Sequence, residues 1–209
     1  MSMINKLSED EVYVYIAIRR VSPNKNENIG LDKKSYRLIR YHNQTEESIV
    51  DELGEMIHGQ PGLWRVYRTI NKRSLKKAYR RMQIEMLEKE DSVIRKVNSH
   101  WKSILMKPES KCERKILFDF DSDDAKMFDE FMNEIIEYNR QFDQSDKTEP
   151  LLCEKAQTPN GFHLITNVFN TFEFKSFGMS KKFKDIVEIK TDALFYVGSF
   201  GWNGDNYDG

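Results

Sequence analysis

Two carboxylates one residue apart stand at the end of an apolar run, Asp119 and Asp121 in KILFDFD from Lys115. In an extended strand, residues i and i+2 face the same side. Leu117, Asp119 and Asp121 then share one face, while Ile116, Phe118 and Phe120 turn to a core. The two Cα atoms sit about 6–7 Å apart. Like charges that close need a cation or a proton between them. Paired carboxylates of this kind hold the divalent ions of polymerases and nucleases. A plainer role for the same acids is to end a strand and cap the helix that starts at Asp123.

A second group is TPNGFH, Thr158 to His163, where a turn delivers a histidine to the start of a strand. Backbone N–H groups with Thr158 or Asn160 can receive phosphate oxygens there. The His163 imidazole can donate to a phosphate or move a proton. A surface turn with an ordinary histidine is the alternative. The third group is Glu188, Lys190 and Asp192, which strand geometry turns to one side. A further acid on a strand beside Asp119 and Asp121 makes an oxygen-rich site. Such a site suits Mg²⁺ or Mn²⁺ better than zinc. An acid-base-acid face is equally ordinary as solvent surface.

The fourth group is basic. Arg65, Arg68, Lys72, Arg73, Lys76, Lys77, Arg80 and Arg81 follow one another with no acid between them. They can bind a nucleic-acid backbone or cover a solvated rim. His42, His58 and His100 lack partners at metal-ligand spacing, and Cys112 and Cys153 are isolated. Zinc and cysteine-nucleophile chemistry are therefore unsupported. The phosphate-loop, dinucleotide-binding and nucleophile-elbow motifs are absent.

These groups need elements to position them. The 209 residues carry 33 Lys plus Arg against 34 Asp plus Glu, a net charge of −1, with 12 % aromatic residues. That composition excludes collagen-like and low-complexity classes and can fill a core. No apolar run has the length of a membrane span, the first ten residues lack the apolar stretch of a signal peptide, and two cysteines make no disulfide framework. The expectation is a soluble protein of a reducing compartment.

Strands are expected at 11–20, 36–41 and 63–70, and a helix from Thr45. A second helix covers 74–87 and reaches towards Val97, with the apolar stripe Leu75, Ala78, Tyr79, Met82 and Met86. Residues 22–35 read as a loop. Lys115–Asp121 is a strand and 123–142 an amphipathic helix carrying Phe128, Phe131 and Ile135. Strands follow at 149–155 and 162–168, then a helix at 172–184 and a last strand or strand pair at 186–197. The tail from Gly198 to Gly209 is left without structure. From Lys115 onward the order β-α-β-β-α-β fits a split β-α-β sheet.

Taken in order, ILFDFD at 116–121, TPNGFH at 158–163 and VEIKTD at 187–192 resemble the catalytic core of the archaeo-eukaryotic primase superfamily, especially the primase-polymerases of phages and plasmids. VYRTINKR at 66–73 looks like that family's early strand. The resemblance covers about residues 63 to 197. It implies an α+β fold, an RRM-like antiparallel sheet with helices packed against an N-terminal α/β unit. The corresponding division is 1–110 for that unit, 111–197 for the catalytic half and 198–209 for a tail.

The resemblance further implies metal ligation by Asp119 and Asp121, with Glu188 as third acid and Asp192 as its alternative. His163 would contact the incoming nucleotide, with Thr158, Asn160 and Lys190 along its triphosphate. Two Mg²⁺ or Mn²⁺ ions, NTP or dNTP, a single-stranded DNA template and a separate helicase are the implied cofactors and partners. The implied location is cytoplasmic, the host cytoplasm for a phage protein. Glu188 stands where Asp is commoner, and Phe200-Gly201-Trp202-Asn203 replaces a Pro-rich segment. Two further readings stay open: a nuclease or phosphodiesterase on the same carboxylates, and a non-enzymatic RRM-like nucleic-acid binder.

Overall fold

In the computed structural model, which describes residues 6–20, 33–142 and 152–201, the side chains of 89–94, 142 and 177 excepted, the first strand is flanked on both edges. Strand β1 (Glu11–Arg20) pairs antiparallel with β2 (Ser35–Arg40) on one side and β3 (Leu63–Thr69) on the other. Val12 to Ile16 are all buried, as a central strand of alternating β-branched and aromatic residues should be. The sheet order is β2-β1-β3-β9, where β9 is Leu194–Phe200, and the two-residue β4 (Arg73–Ser74) also pairs with β1.

Helix α1 (Glu46–Ile57) starts where the sequence places it. Thr45 accepts a hydrogen bond from the Ser48 N–H at 3.2 Å, and Glu46 and Glu47 sit in the first turn, favourable to the helix dipole. Its buried face of Ile49, Leu53 and Ile57 packs with Tyr13, Tyr15, Ala17, Trp64, Val66 and Phe200. Helix α2 (Leu75–Ile94) packs against α3 (Val97–Leu105). Its buried positions among the described side chains are Ala78, Met82 and Glu85, whereas Tyr79 and Met86 face solvent. The expected apolar stripe is thus corrected by about half a face. Glu85 can lie inside because Arg81 (2.8 Å), His100 (2.8 Å) and Lys107 (2.5 Å) all reach its carboxylate.

The chain divides into two units, residues up to Glu113 with those from Tyr196 on, and the continuous stretch Arg114–Phe195. The second unit runs β5 (Lys115–Phe120), α4 (Ala125–Phe142), β6 (Leu152–Thr158), β7 (Gly161–Asn167), a short α5 (Thr171–Glu173) and β8 (Val187–Lys190). Its sheet has the order β6-β7-β5-β8, antiparallel throughout. That is the arrangement a split β-α-β order calls for. One face carries Ile116, Phe118, Phe120, Leu164 and Val187 against Phe128, Phe131, Ile135 and Tyr138 of α4. Phe118 and Phe131 meet edge to face with centroids 5.5 Å apart, and Phe128 stacks on Phe162 at 4.5 Å. Both sheets are antiparallel, so the chain is α+β as expected.

Two segments depart from the expectation. The helix at 172–184 is instead α5, a π-turn at Phe174–Gly178 and a 3₁₀ turn at Lys181–Phe183. Phe174, Met179 and Phe183 are all buried, and their spacing of five and four residues cannot share one face of an α-helix. Gly178 also lies so close to Tyr138 that a Cβ would stand 2.4 Å from the ring. The strand pair at 186–197 is β8 and β9, and β9 runs on to Phe200, into the segment expected to lack structure. Phe200 is buried against Gly54, where a Cβ would meet its ring at 3.1 Å. Residues 21–32 of the expected loop, 149–151 of the expected strand and 202–209 of the tail lie outside the described residues. Among the described residues, no helix is long and apolar enough to cross a membrane.

Candidate functional site

The face of the second sheet opposite α4 carries the polar groups. Asp119 of β5 is the direct register partner of His163 on β7 and of Glu188 on β8. Opposed residues of antiparallel strands point to the same side. Three residues far apart in sequence therefore stand in one row across three strands. The neighbouring row is Ile165, Leu117 and Lys190.

Asp119 is the hub. Its Oδ1 lies 3.3 Å from His163 Nε2 and its Oδ2 accepts from Lys190 Nζ at 2.6 Å. Lys190 Nζ also stands 2.8 Å from Glu188 Oε2. His163 is buried and its ring packs beside Phe195, centroids 5.8 Å apart. The His163 hydrogen bond, with Lys190 helping and partial burial opposing, holds the Asp119 carboxyl down at about 2. In return, the two carboxylates keep the Lys190 ammonium above its usual range, against the effect of its partial burial. The row is thus a charged array, with its aspartate ionised throughout the physiological range.

The hairpin after β6 turns through Pro159 and Asn160, since Thr158 pairs directly with Gly161. Gly161 is required there: a Cβ would stand 1.9 Å from the Phe120 carbonyl oxygen. The turn therefore lies close against the end of β5. Beside it a groove of about 530 Å³ is lined by Asp121, Ser122, Asp123, Met127, Pro159, Asn160, Lys182 and Ile186. The Asp121 N–H donates to the Ile186 carbonyl at 2.8 Å, extending the β5–β8 pairing by one residue. The capping role falls to Asp124, whose Oδ1 accepts from the Lys126 and Met127 N–H groups at 2.9 and 3.1 Å.

The proposed site residues thus fall into two sets. Asp119, His163 and Glu188 form the row, with Lys190 reaching into it from the next, while Asp121 and Asn160 belong to the groove at its end. Thr158 closes β6, where its hydroxyl accepts from the Asn160 N–H at 3.4 Å. Asp192 lies in the bend after β8, so register selects Glu188 as the acid opposite Asp119. Lys182, which also ion-pairs with Glu130, is a groove residue that the sequence reading missed. Its only signal was the basic cluster Lys181, Lys182 and Lys184, absorbed into an expected helix.

The basic run in the first unit is less available than its composition suggests. Arg68 and Arg73 are buried. The Arg68 guanidinium lies over the Tyr13 ring at 4.8 Å, with Nε 3.4 Å from Glu46, and Arg73 donates to the Lys107 carbonyl at 3.2 Å. Lys72 pairs with Glu11, Lys77 donates to the Lys111 carbonyl, and Arg65 is partly buried. As contacts for an external phosphate, Arg68 and Arg73 are corrected to structural roles; Lys76 and Arg80 are exposed on α2.

Compared with known proteins, the chain matches no family model, no curated protein and no solved structure. Chemistry must be read from the donors. Asp119 and Glu188 present carboxylate oxygens to a shared cation, the Lys190 ammonium, and Asp121 adds a carboxylate at the groove. This hard-oxygen set fits Mg²⁺ or Mn²⁺. In the arrangement with Lys190 between them, no three His, Cys, Asp or Glu side chains among the described residues stand close enough to hold an ion together.

Proposed function

We propose that the chain is a metal-dependent nucleotidyltransferase of primase-polymerase type, adding nucleotides on a nucleic-acid template. The observation that carries the reading is the single cross-strand row of Asp119, His163 and Glu188. Three short motifs that resemble one superfamily only by their order meet on one face of an antiparallel sheet. The same row argues against an RRM-like binder without enzymatic activity. Such modules expose aromatic rings on the sheet for stacking, whereas this face carries carboxylates that repel a phosphate backbone.

Asp119 and Glu188, with Asp121 beyond them, are the residues to hold divalent metal. When bound, the ion neutralises charge on the nucleotide and lowers the pKa of a primer 3′-hydroxyl. The chain's own groups do the positioning. Asp119 orients the His163 imidazole through its Nε2, so that the ring is fixed to meet a phosphate oxygen. Asn160 and Lys182 offer a donor amide and a cation along the groove. No covalent intermediate on the protein is required, since positioning and electrostatics supply the rate.

The test is nucleotide incorporation by the full chain, with labelled NTPs and dNTPs, Mn²⁺ or Mg²⁺, and single-stranded DNA with and without a primer. Metal-dependent product that is lost in Asp119→Ala is the expected result. Shortened strands in place of added nucleotides would convert the reading to a nuclease on the same carboxylates. An intact strand and no product under every condition would refute both.

A further inference from the structure

Asp119 and Glu188 are direct partners on neighbouring antiparallel strands. Their Cβ atoms are therefore about 4.5–5.5 Å apart, and like charges so opposed are destabilising. The sequence supplies its own remedy two residues after Glu188. Lys190 lies on the same face, one row back beside Leu117, and its stem brings Nζ to 2.6 Å from Asp119 Oδ2 and 2.8 Å from Glu188 Oε2. The ammonium thus occupies the point from which one cation touches both carboxylates.

A divalent ion needs the same oxygens. Mg²⁺ draws its ligands to about 2.0–2.1 Å, so an ion that bridges these same two oxygens cannot share that place with Nζ. The lysine has a means of leaving: its stem has four rotatable carbons, and its side chain is one-third exposed. We infer that Lys190 is an internal counter-ion that keeps the Asp119–Glu188 pair assembled without metal and must swing out for a divalent cation to bind. Metal and ammonium then compete for one place. The displaced ammonium then stands on the exposed side of the Asp119–Glu188 pair, where Glu188 is open to solvent and where it can meet the anionic groups of a nucleotide. This inference rests on the reading of Asp119 and Glu188 as cation ligands.

The competition is measured with Mn²⁺ alone, by the paramagnetic resonance signal of the free ion, on the full chain. The variants are Lys190→Met, Lys190→Gln, Lys190→Arg and Asp119→Asn, each checked for native circular dichroism. Removing the competing charge should tighten Mn²⁺ binding by on the order of tenfold in Lys190→Met and Lys190→Gln, while Lys190→Arg, which keeps the charge, should not tighten. In chelator the two neutral variants should melt below the wild type, and Mn²⁺ should raise their melting temperature more than it raises the wild type's. Binding lost in Asp119→Asn places the ion in the row. Equal affinity in wild type and both neutral variants would overturn the counter-ion role and leave the metal reading standing. No binding in any form, including Lys190→Met and Lys190→Gln, would overturn both.

Discussion

Acid should uncouple the Asp119 row in a defined window. The carboxyl titrates at about 2, against an ordinary value of 3.8. That difference corresponds to about 2 kcal/mol at 1.36 kcal/mol per unit, after a discount for the fifth of the side chain open to water. The sign follows from proton uptake. The unfolded chain takes up the proton first as pH falls, so the stabilisation is whole above about 4 and is lost as pH drops towards 2. Urea unfolding of wild type and Asp119→Asn, in chelator, over a pH series from 6 to 2.5 reads it. Other depressed carboxyls, Glu85 among them, titrate in both proteins and cancel in the difference. The stability gap between the two proteins should shrink by about 1.5 kcal/mol across that range, the remainder going only below pH 2.5. A carbon-13 titration of the Asp119 carboxyl gives the same quantity directly. A carboxyl that titrates at 3.8 or higher, or a gap that does not change with pH, would refute the hydrogen-bonded row.

The remaining predictions concern what holds the site in place. Gly161→Ala drives a methyl into the Phe120 carbonyl and should lower stability by about 2–4 kcal/mol in urea unfolding; a loss within 0.5 kcal/mol would show that the turn does not lie close to β5. Glu85→Ala leaves Arg81, His100 and Lys107 without their shared carboxylate and should cost about 2 kcal/mol, with faster amide exchange in α2 and α3. Its effect on any nucleotide incorporation should appear only near the melting temperature. Arg68→Ala should destabilise the first unit without altering the salt dependence of single-stranded DNA binding, whereas Lys76→Ala with Arg80→Ala should flatten that salt slope and leave the melting temperature unchanged; the reverse pattern would restore Arg68 to the binding surface.

Much of the row was legible because strand alternation is a strong rule. Period two sends Asp119 away from Phe118 and Phe120, and Glu188 away from Val187 and Ile189. Which strands become neighbours follows from the β-α-β-β-α-β order. The position of the Lys190 ammonium was not legible, since a four-carbon stem can reach several places and only register brings Glu188 opposite Asp119. Arg68 was misread by its residue type, although its own strand carried the warning: Trp64, Val66 and Arg68 alternate onto one face, and all three are buried. Helix α2 failed in the same way. An apolar count selects Tyr79 and Met86, while the buried face passes through Glu85, whose burial depends on cations from α3 and beyond. Partner-dependent burial of charge has no local sequence signature.

The division of the chain sets an order of events during synthesis. The second unit is continuous, and all its strand partners emerge together. The first unit lacks β9, the neighbour of β3, until residues beyond Phe195 have been made. At roughly 5–20 residues per second, β3 waits with an open edge for on the order of ten seconds. An unpaired edge is a template for pairing with another chain. Truncation before Tyr196 makes that state permanent, so shortened forms should aggregate through β3 even though every residue of the Asp119 row is present.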